Sequence, residues 1–319
     1  MKTLATFLAA AIFACAAQAQ PAGQTIHLVV PFAAGGAQDV LGRYLATKLG
    51  ERTKASVIVD NKAGASGVVA GDFVAKAAPD GTTLFLATGG ALTIAPHLNP
   101  KLPYDARTSF VPVALIGDTP MTLSVRAQSP YQSIADVLKD AKANPGKVTY
   151  GSSGNGSVSH LTGELLAQAA GVQFTHVGYR GANPAMVDLL GGQIAMMVTS
   201  SASIEPMVAD KKARVLATFT RAPLPNFPGV PTVGQATGIK GLEVPVWIGI
   251  MAPAKTPAAT VDKLAAEFTA ICQLPETQER FKTLGALAMC GGAADLEKVV
   301  AEDYQRWARV IKQGNIKGE

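Results

Sequence analysis

Ile26-His27-Leu28-Val29-Val30-Pro31-Phe32-Ala33-Ala34-Gly35-Gly36-Ala37-Gln38-Asp39 is a short apolar strand that enters a glycine-rich loop and opens onto an amphipathic helix. Far along the chain, Val148-Thr149-Tyr150-Gly151-Ser152-Ser153-Gly154-Asn155-Gly156-Ser157-Val158-Ser159-His160 repeats the pattern with serines in the loop. A helix start carries unpaired N–H groups and the positive end of the macrodipole, and glycine lets a ligand come close to the backbone. Each segment therefore reads as half of an anion site. Two half-sites this far apart predict two lobes that hold one small acid between them.

The rest of the chain has the alternation of an α/β protein with mostly parallel sheets. Strands are expected near 26–31, 56–60, 83–88, 147–152, 173–178, 193–199 and 214–219, and helices near 37–50, 67–77, 133–143, 157–170 and 184–191. Ser133 with Asp136 forms a capping-box pattern, Ile134, Val137, Leu138 and Ala141 give a buried stripe, and Asn144-Pro145-Gly146 stops that helix. Two extended runs, Met121 to Arg126 and Gly241 to Met251, interrupt the alternation and read as crossovers between lobes. The expected division is a first lobe of 20–124 plus 247–319 around a continuous second lobe of 125–246. A 48% hydrophobic composition is enough to fill both cores.

At the N-terminus, Lys2 precedes an apolar run from Leu4 to Ala17, and Ala17-Gln18-Ala19 fits a secretory cleavage site, so residues 1–19 read as a signal peptide. Phe13 stands where a lipoprotein signal has a small residue, so Cys15 is expected to leave with the signal. The exported chain would be periplasmic. Its formal charge of +5 falls by one unit with the loss of Lys2. The basic residues are scattered rather than gathered in a stripe, which argues against nucleic acid and suits capture of a small anion. Cys272 and Cys290 then remain in an oxidising compartment and are expected to form a disulfide.

Candidate ligand residues follow from the two loops. In the first, Phe32, Ala33 and Gln38 flank Gly35 and Gly36, whose backbone N–H groups would face an anion; Asp39 suits the helix dipole and would tie the loop down. In the second, Ser152, Ser153 and Ser157 offer hydroxyls beside Gly154. Ser157 also suits an N-cap, which leaves Ser152 the better placed for ligand. Thr88 and Thr93 lie at a strand end, the usual ligand edge of an α/β sheet, and are secondary candidates. Tyr179 and Trp247 read as packing residues. His160 near serines raises the idea of an exported hydrolase, but the segment has no Gly-x-Ser-x-Gly elbow and no acid placed to orient the imidazole. No phosphate-binding glycine motif is complete and no metal-ligand cluster appears, so no cofactor is expected.

These residues resemble the extracytoplasmic receptors of tripartite tricarboxylate transporters, the Bug proteins. The resemblance rests on Val30-Pro31-Phe32 with Gly35-Gly36 and Asp39, Asn61-Lys62 with Gly64 and Gly67, and Ala78-Pro79-Asp80-Gly81. It continues through Leu102-Pro103-Tyr104-Asp105, Tyr150 to Ser157 with His160-Leu161, His176 to Gly181, Asp188 to Gln193, Val230-Pro231-Thr232 and Ala252-Pro253-Ala254. It implies a two-lobed Venus-flytrap binding protein of type II-like fold without catalytic activity, in which Phe32 to Asp39 and Ser152 to Ser157 act as pincers on a ligand carboxylate. The implied partners are the large and small membrane subunits of such a transporter, with a monomeric receptor; some relatives instead signal to a sensor kinase. After Met196-Met197 the family commonly has an acidic residue and then asparagine, where this chain has Val198-Thr199-Ser200-Ser201. Thr199 and Ser200 can donate to a second carboxylate that an acidic residue would repel, and Gln38 replaces a common threonine. The departure favours a dicarboxylate or an aromatic acid over an amino acid.

Overall fold

The computed structural model describes residues 25–35 and 37–318. Gly36, the expected signal peptide and Cys15 lie outside the described residues. The chain begins with β1 (Thr25–Val30), α1 (Ala37–Thr53), β2 (Ser56–Asn61), α2 (Val68–Ala75), β3 (Thr83–Thr88), α3 (Ala95–Leu98) and β4 (Phe110–Asp118). It continues with β5 (Met121–Arg126), α4 (Ile134–Ala143), β6 (Thr149–Ser152), α5 (Val158–Ala170), β7 (Thr175–Gly178), α6 (Ala182–Gly191), β8 (Met196–Ser200), α7 (Ser201–Ala209), β9 (Ala213–Thr218) and α8 (Val233–Thr237). It closes with β10 (Trp247–Pro253), α9 (Ala258–Cys272), α10 (Pro275–Thr283), β11 (Leu287–Gly291) and α11 (Ala293–Gly314).

These strands make two sheets, ordered β11-β4-β10-β3-β1-β2 and β7-β6-β8-β5-β9. The fold is α/β and two-lobed, but both sheets are mixed rather than mostly parallel. β1 pairs in parallel with β2 and β3, whereas β10 runs antiparallel to β3 and β4. In the second sheet β6 is parallel to β7 and β8, and β5 is antiparallel to β8 and β9. The two extended runs read as crossovers are thus largely strands: β5 lies inside the second sheet and β10 inside the first. The chain crosses at Thr119-Pro120 and again just before Trp247, so the first crossing precedes β5 instead of following it.

Periodicity explains how β10 can be central. Ile248, Ile250 and Ala252 join the core against α1 and α9, while Trp247 and Met251 point to the opposite core with Val29, Phe85 and Leu296. Both faces are covered, so the strand is apolar throughout. In the second lobe, α4 begins with the anticipated reciprocal cap: Ser133 accepts from the Asp136 N–H and Asp136 accepts from the Ser133 N–H. Ile134, Val137 and Ala141 are buried from it.

α11 does not stay with one lobe. Leu296 packs on the first sheet with Trp247, whereas Trp307, Val310 and Ile311 join the second-lobe core with Leu161 and Leu166. Gln168 of α5 donates to the Val310 carbonyl at 3.0 Å. The helix straps the lobes together.

Cys272 and Cys290 are bonded, with a Cα–Cα distance of 5.2 Å, and tie the end of α9 to the edge strand β11. Cross-linking a loop of this size restrains the unfolded chain by about 2–4 kcal/mol. Cys290→Ser should lower the unfolding free energy by that amount in denaturant titration, and dithiothreitol should then have no further effect on the variant. Equal stability of wild type and variant under oxidising conditions would refute a structural role for the bond.

Candidate functional site

A cavity of about 710 Å³ opens between the two sheets, where strand ends and helix starts from both lobes meet. From the first lobe it is lined by Pro31, Phe32, Ala33 and Gln38, by residues 63–67, and by Thr88 and Gly90; from the second, by Ser153, Ser157, Val158 and Ser159, by Arg180 to Ala182, and by Thr199, Ser200 and Ser203. Thr119, Met121 and Val246, at the two crossings, complete the lining.

The first loop is braced from behind. Asp39, buried in the first turn of α1, accepts from the Gly35 N–H at 2.8 Å, from Asn61 Nδ2 at 2.8 Å and from Arg43 Nε at 3.1 Å. Burial alone would raise the Asp39 pKa, but the bonds from Gly35, Asn61 and Arg43 outweigh it and hold the carboxyl below its ordinary value. Asn61 also donates to the Phe32 carbonyl at 3.0 Å. The Gly35 donor expected to face a ligand is therefore already in use, and Asp39 sits behind the loop rather than on the cavity wall.

Beside it, residues 64–67 make a turn that sequence reading missed. Gly64, Ala65, Ser66 and Gly67 have φ of 140°, 44°, 53° and 97°. Non-glycine residues in this region each cost about 1–3 kcal/mol and persist only where surrounding structure holds them. Here Gly90 presses on the turn: a Cβ at Gly90 would lie 2.4 Å from the Ser66 carbonyl oxygen.

In the second loop the serines divide. Ser152 is fully buried, its hydroxyl 2.7 Å from His176 Nε2 and 3.1 Å from the Gly154 carbonyl, so it lies away from the cavity. Gly154 also turns inward, its N–H meeting Ser152 and its carbonyl accepting from Ser157. Ser153, Ser157 and Ser159 instead reach the lining, with hydroxyls 2.9 and 3.0 Å apart around Ser159. Ser157 does both jobs, capping α5 through the His160 N–H while facing the cavity.

His160 holds this loop rather than facing ligand. Its Nδ1 accepts from the Gly156 N–H at 3.1 Å, and its ring stacks on His176 at 3.8 Å. Burial, reinforced by the His176 neighbour, pushes the His160 pKa down to about 3, and burial pushes His176 down to about 4. Both are neutral imidazoles. Among the described residues no carboxylate bonds to His176, so the Ser152–His176 pair lacks the acid of a triad as well as access to the cavity.

Thr93 is likewise away from the lining, its hydroxyl between the Gly89 carbonyl (2.8 Å) and the buried Asp303 (2.7 Å). Thr88, Thr199 and Ser200 do reach it. Ser200 caps α7 through the Ser203 N–H, with the two hydroxyls 2.8 Å apart. Near the crossings, Val246 N–H donates to Asp118 and Thr119 N–H to the Val246 carbonyl, which staples the two connections to each other. Burial pushes the Asp118 carboxyl up to about 6, with Asp303 adding to it and the Val246 N–H opposing.

No carboxylate lines the cavity among the described residues; its one charged side chain is Arg180, and the starts of α1, α5, α6 and α7 all reach it. The sequence reading did not single out Arg180, Ser159, Ser203 or residues 63–67. Such a surface suits an anion.

Residues 41–316 match the tripartite tricarboxylate transporter family receptor. A protein from the tcbD-tcbE intergenic region of Pseudomonas sp. strain P51 is 38% identical over 90% of this chain and 85% of its own length. Among solved structures, R. palustris Rpa4515 with adipate superposes with a TM-score of 0.85 at 32% identity, covering 94% of this chain and 100% of that one. MatC from Rhodopseudomonas palustris with bound malate gives 0.80 at 31% identity, covering 91% and 99%.

Proposed function

The chain belongs to the tripartite tricarboxylate transporter receptor family, and from that premise we propose that it is a periplasmic solute receptor that takes up a small aliphatic dicarboxylate and presents it to the large and small membrane subunits of such a transporter. The observation that carries the ligand class is the lining: hydroxyls, helix starts and one arginine, with no carboxylate among the described residues. An amino acid would leave its ammonium without a counter-charge there, whereas a second carboxylate finds donors. Phe32 is the one aromatic side chain among the described lining residues, which supports an aliphatic chain over an aromatic acid. The adipate and malate held by the two structural relatives are both dicarboxylates, in keeping with this reading.

A thermal-shift panel of mono-, di- and tricarboxylates, aromatic acids and amino acids tests it. A ligand at a hundredfold its Kd stabilises by about 2.7 kcal/mol, so the diacids should raise Tm clearly. A shift with amino acids alone would sink the ligand class. Thr199→Asp should then weaken a diacid at least about tenfold more than the matched monoacid, since carboxylates about 4 Å apart repel by about 4 kcal/mol at an effective dielectric of 20. Equal losses would place Thr199 outside the distal pocket.

A further inference from the structure

Resting on that reading, we propose that Ser153 meets the ligand as a hydrogen-bond acceptor and so selects diacids that carry a hydroxyl group over plain diacids. Ser153, Ser157 and Ser159 bring three hydroxyl protons to the second loop and make three close oxygen–oxygen contacts: Ser157 to the Gly154 carbonyl at 2.6 Å, Ser157 to Ser159 at 3.0 Å and Ser153 to Ser159 at 2.9 Å. Each contact needs one proton. A carbonyl has none to give, so the Ser157 proton goes to Gly154. Ser159 then donates to Ser157, and Ser153 to Ser159. The backbone completes the set, with the His160 N–H on Ser157 at 3.2 Å and the Ser153 N–H on Ser159 at 3.0 Å. Ser157 and Ser159 each donate once and accept twice, which is all a hydroxyl can do.

Ser159 is buried behind the loop, whereas Ser153 is exposed and lines the cavity, where its Oγ has two lone pairs and no proton left to offer. Its N–H is spent on Ser159 as well. A carboxylate oxygen could take the Ser153 proton only if one of the three contacts were left as two lone pairs facing each other, which costs a hydrogen bond. A ligand hydroxyl, in contrast, donates to Ser153 and disturbs nothing. Across the cavity the count comes out differently: Ser200 and Ser203 have two protons for one contact of 2.8 Å, so among the described residues one proton stays free there for a carboxylate. The cavity thus presents hydroxyls of opposite polarity on its two second-lobe loops.

The test is calorimetric titration of wild type, Ser153→Ala and Ser159→Ala with two matched pairs, succinate against malate and adipate against 2-hydroxyadipate. Wild type should bind the better hydroxy diacid about five- to twentyfold more tightly than its plain partner. Ser153→Ala, at an exposed position, should bring the two within about twofold by taking the acceptor away. Ser159→Ala should go further: it releases the Ser153 hydroxyl proton and N–H together, makes the residue a donor, and reverses the preference in favour of the plain diacid. A mere loss of packing would weaken both ligands alike and leave their ratio unchanged. Equal wild-type affinities, or a preference that survives either substitution, overturn the role given to Ser153 while leaving the dicarboxylate reading intact. A wild-type chain that binds none of the four acids overturns that reading itself, and this inference with it.

Discussion

Acidification from pH 6.5 to 4.5 should cost the folded protein on the order of 2–4 kcal/mol through His160 and His176 alone, the smaller share from His176, which is only half-buried and partly screened by solvent. In the unfolded chain both imidazoles bind a proton near pH 6.5, whereas burial holds them neutral in the fold down to about 3 and about 4. The unfolded state therefore binds more protons across this window, and stability falls as pH falls. Protonating His160 at Nδ1 would also expel the Gly156 N–H, and with it the shape of the second loop. Asp118 works in the opposite direction: its raised pKa means the fold holds that proton more tightly, so acidification towards pH 4 favours the native state. The comparison must isolate the histidines. A His160→Asn, His176→Gln variant keeps an acceptor near each Nδ1 and Nε2 position, so its pH profile should be flatter than that of wild type by the stated amount. Parallel urea-midpoint profiles between pH 6.5 and 4.5 would contradict the assignment.

Trp307→Ala should lower the unfolding free energy by about 3–5 kcal/mol, the range for removing a fully buried aromatic side chain. The effect should exceed that of trimming Val299, half-buried on the same helix but seated against the first lobe. Trp307 lies in the second-lobe core with Ile94, Leu161 and Leu166, so its loss leaves a cavity and slackens the part of α11 that crosses between lobes. Trp307→Phe should recover much of the stability by refilling the volume. A loss under about 1 kcal/mol in guanidinium titration would mean that the strap carries little load.

What could be read from the chain was what short-range chemistry writes into it. Ser133 and Asp136 declare a helix start within four residues, and the glycine-serine loops announce their strands and helices in the same local way. β4 was not legible because Pro112 interrupts its apolar run; in the fold it pairs with Met251 next to a register shift in the ladder, where the sheet is already irregular. α7 was hidden by Pro206 in its interior. At the cavity the limit was direction. At the strand end Ser152 reads as the better placed ligand donor, but the arrival of His176 from β7 draws it inward and leaves Ser153 at the cavity. The position of Arg180 in the lining follows from backbone pairing of its neighbours with the serine loop, and no local pattern records that.

The position of β10 also governs the order in which the molecule can be assembled. β4 has two neighbours in its sheet, β10 and β11, and both come after the whole second lobe in the chain. The strands of the second sheet, by contrast, follow one another from β5 to β9 without interruption. Loop-closure entropy delays such distant pairings and slows folding dominated by them. Until Trp247–Pro253 docks, β4 is an apolar strand with both edges open, the kind of exposed edge through which folding intermediates aggregate. Completion of the first lobe is therefore expected to be the late step in folding, set by when the C-terminal segment docks.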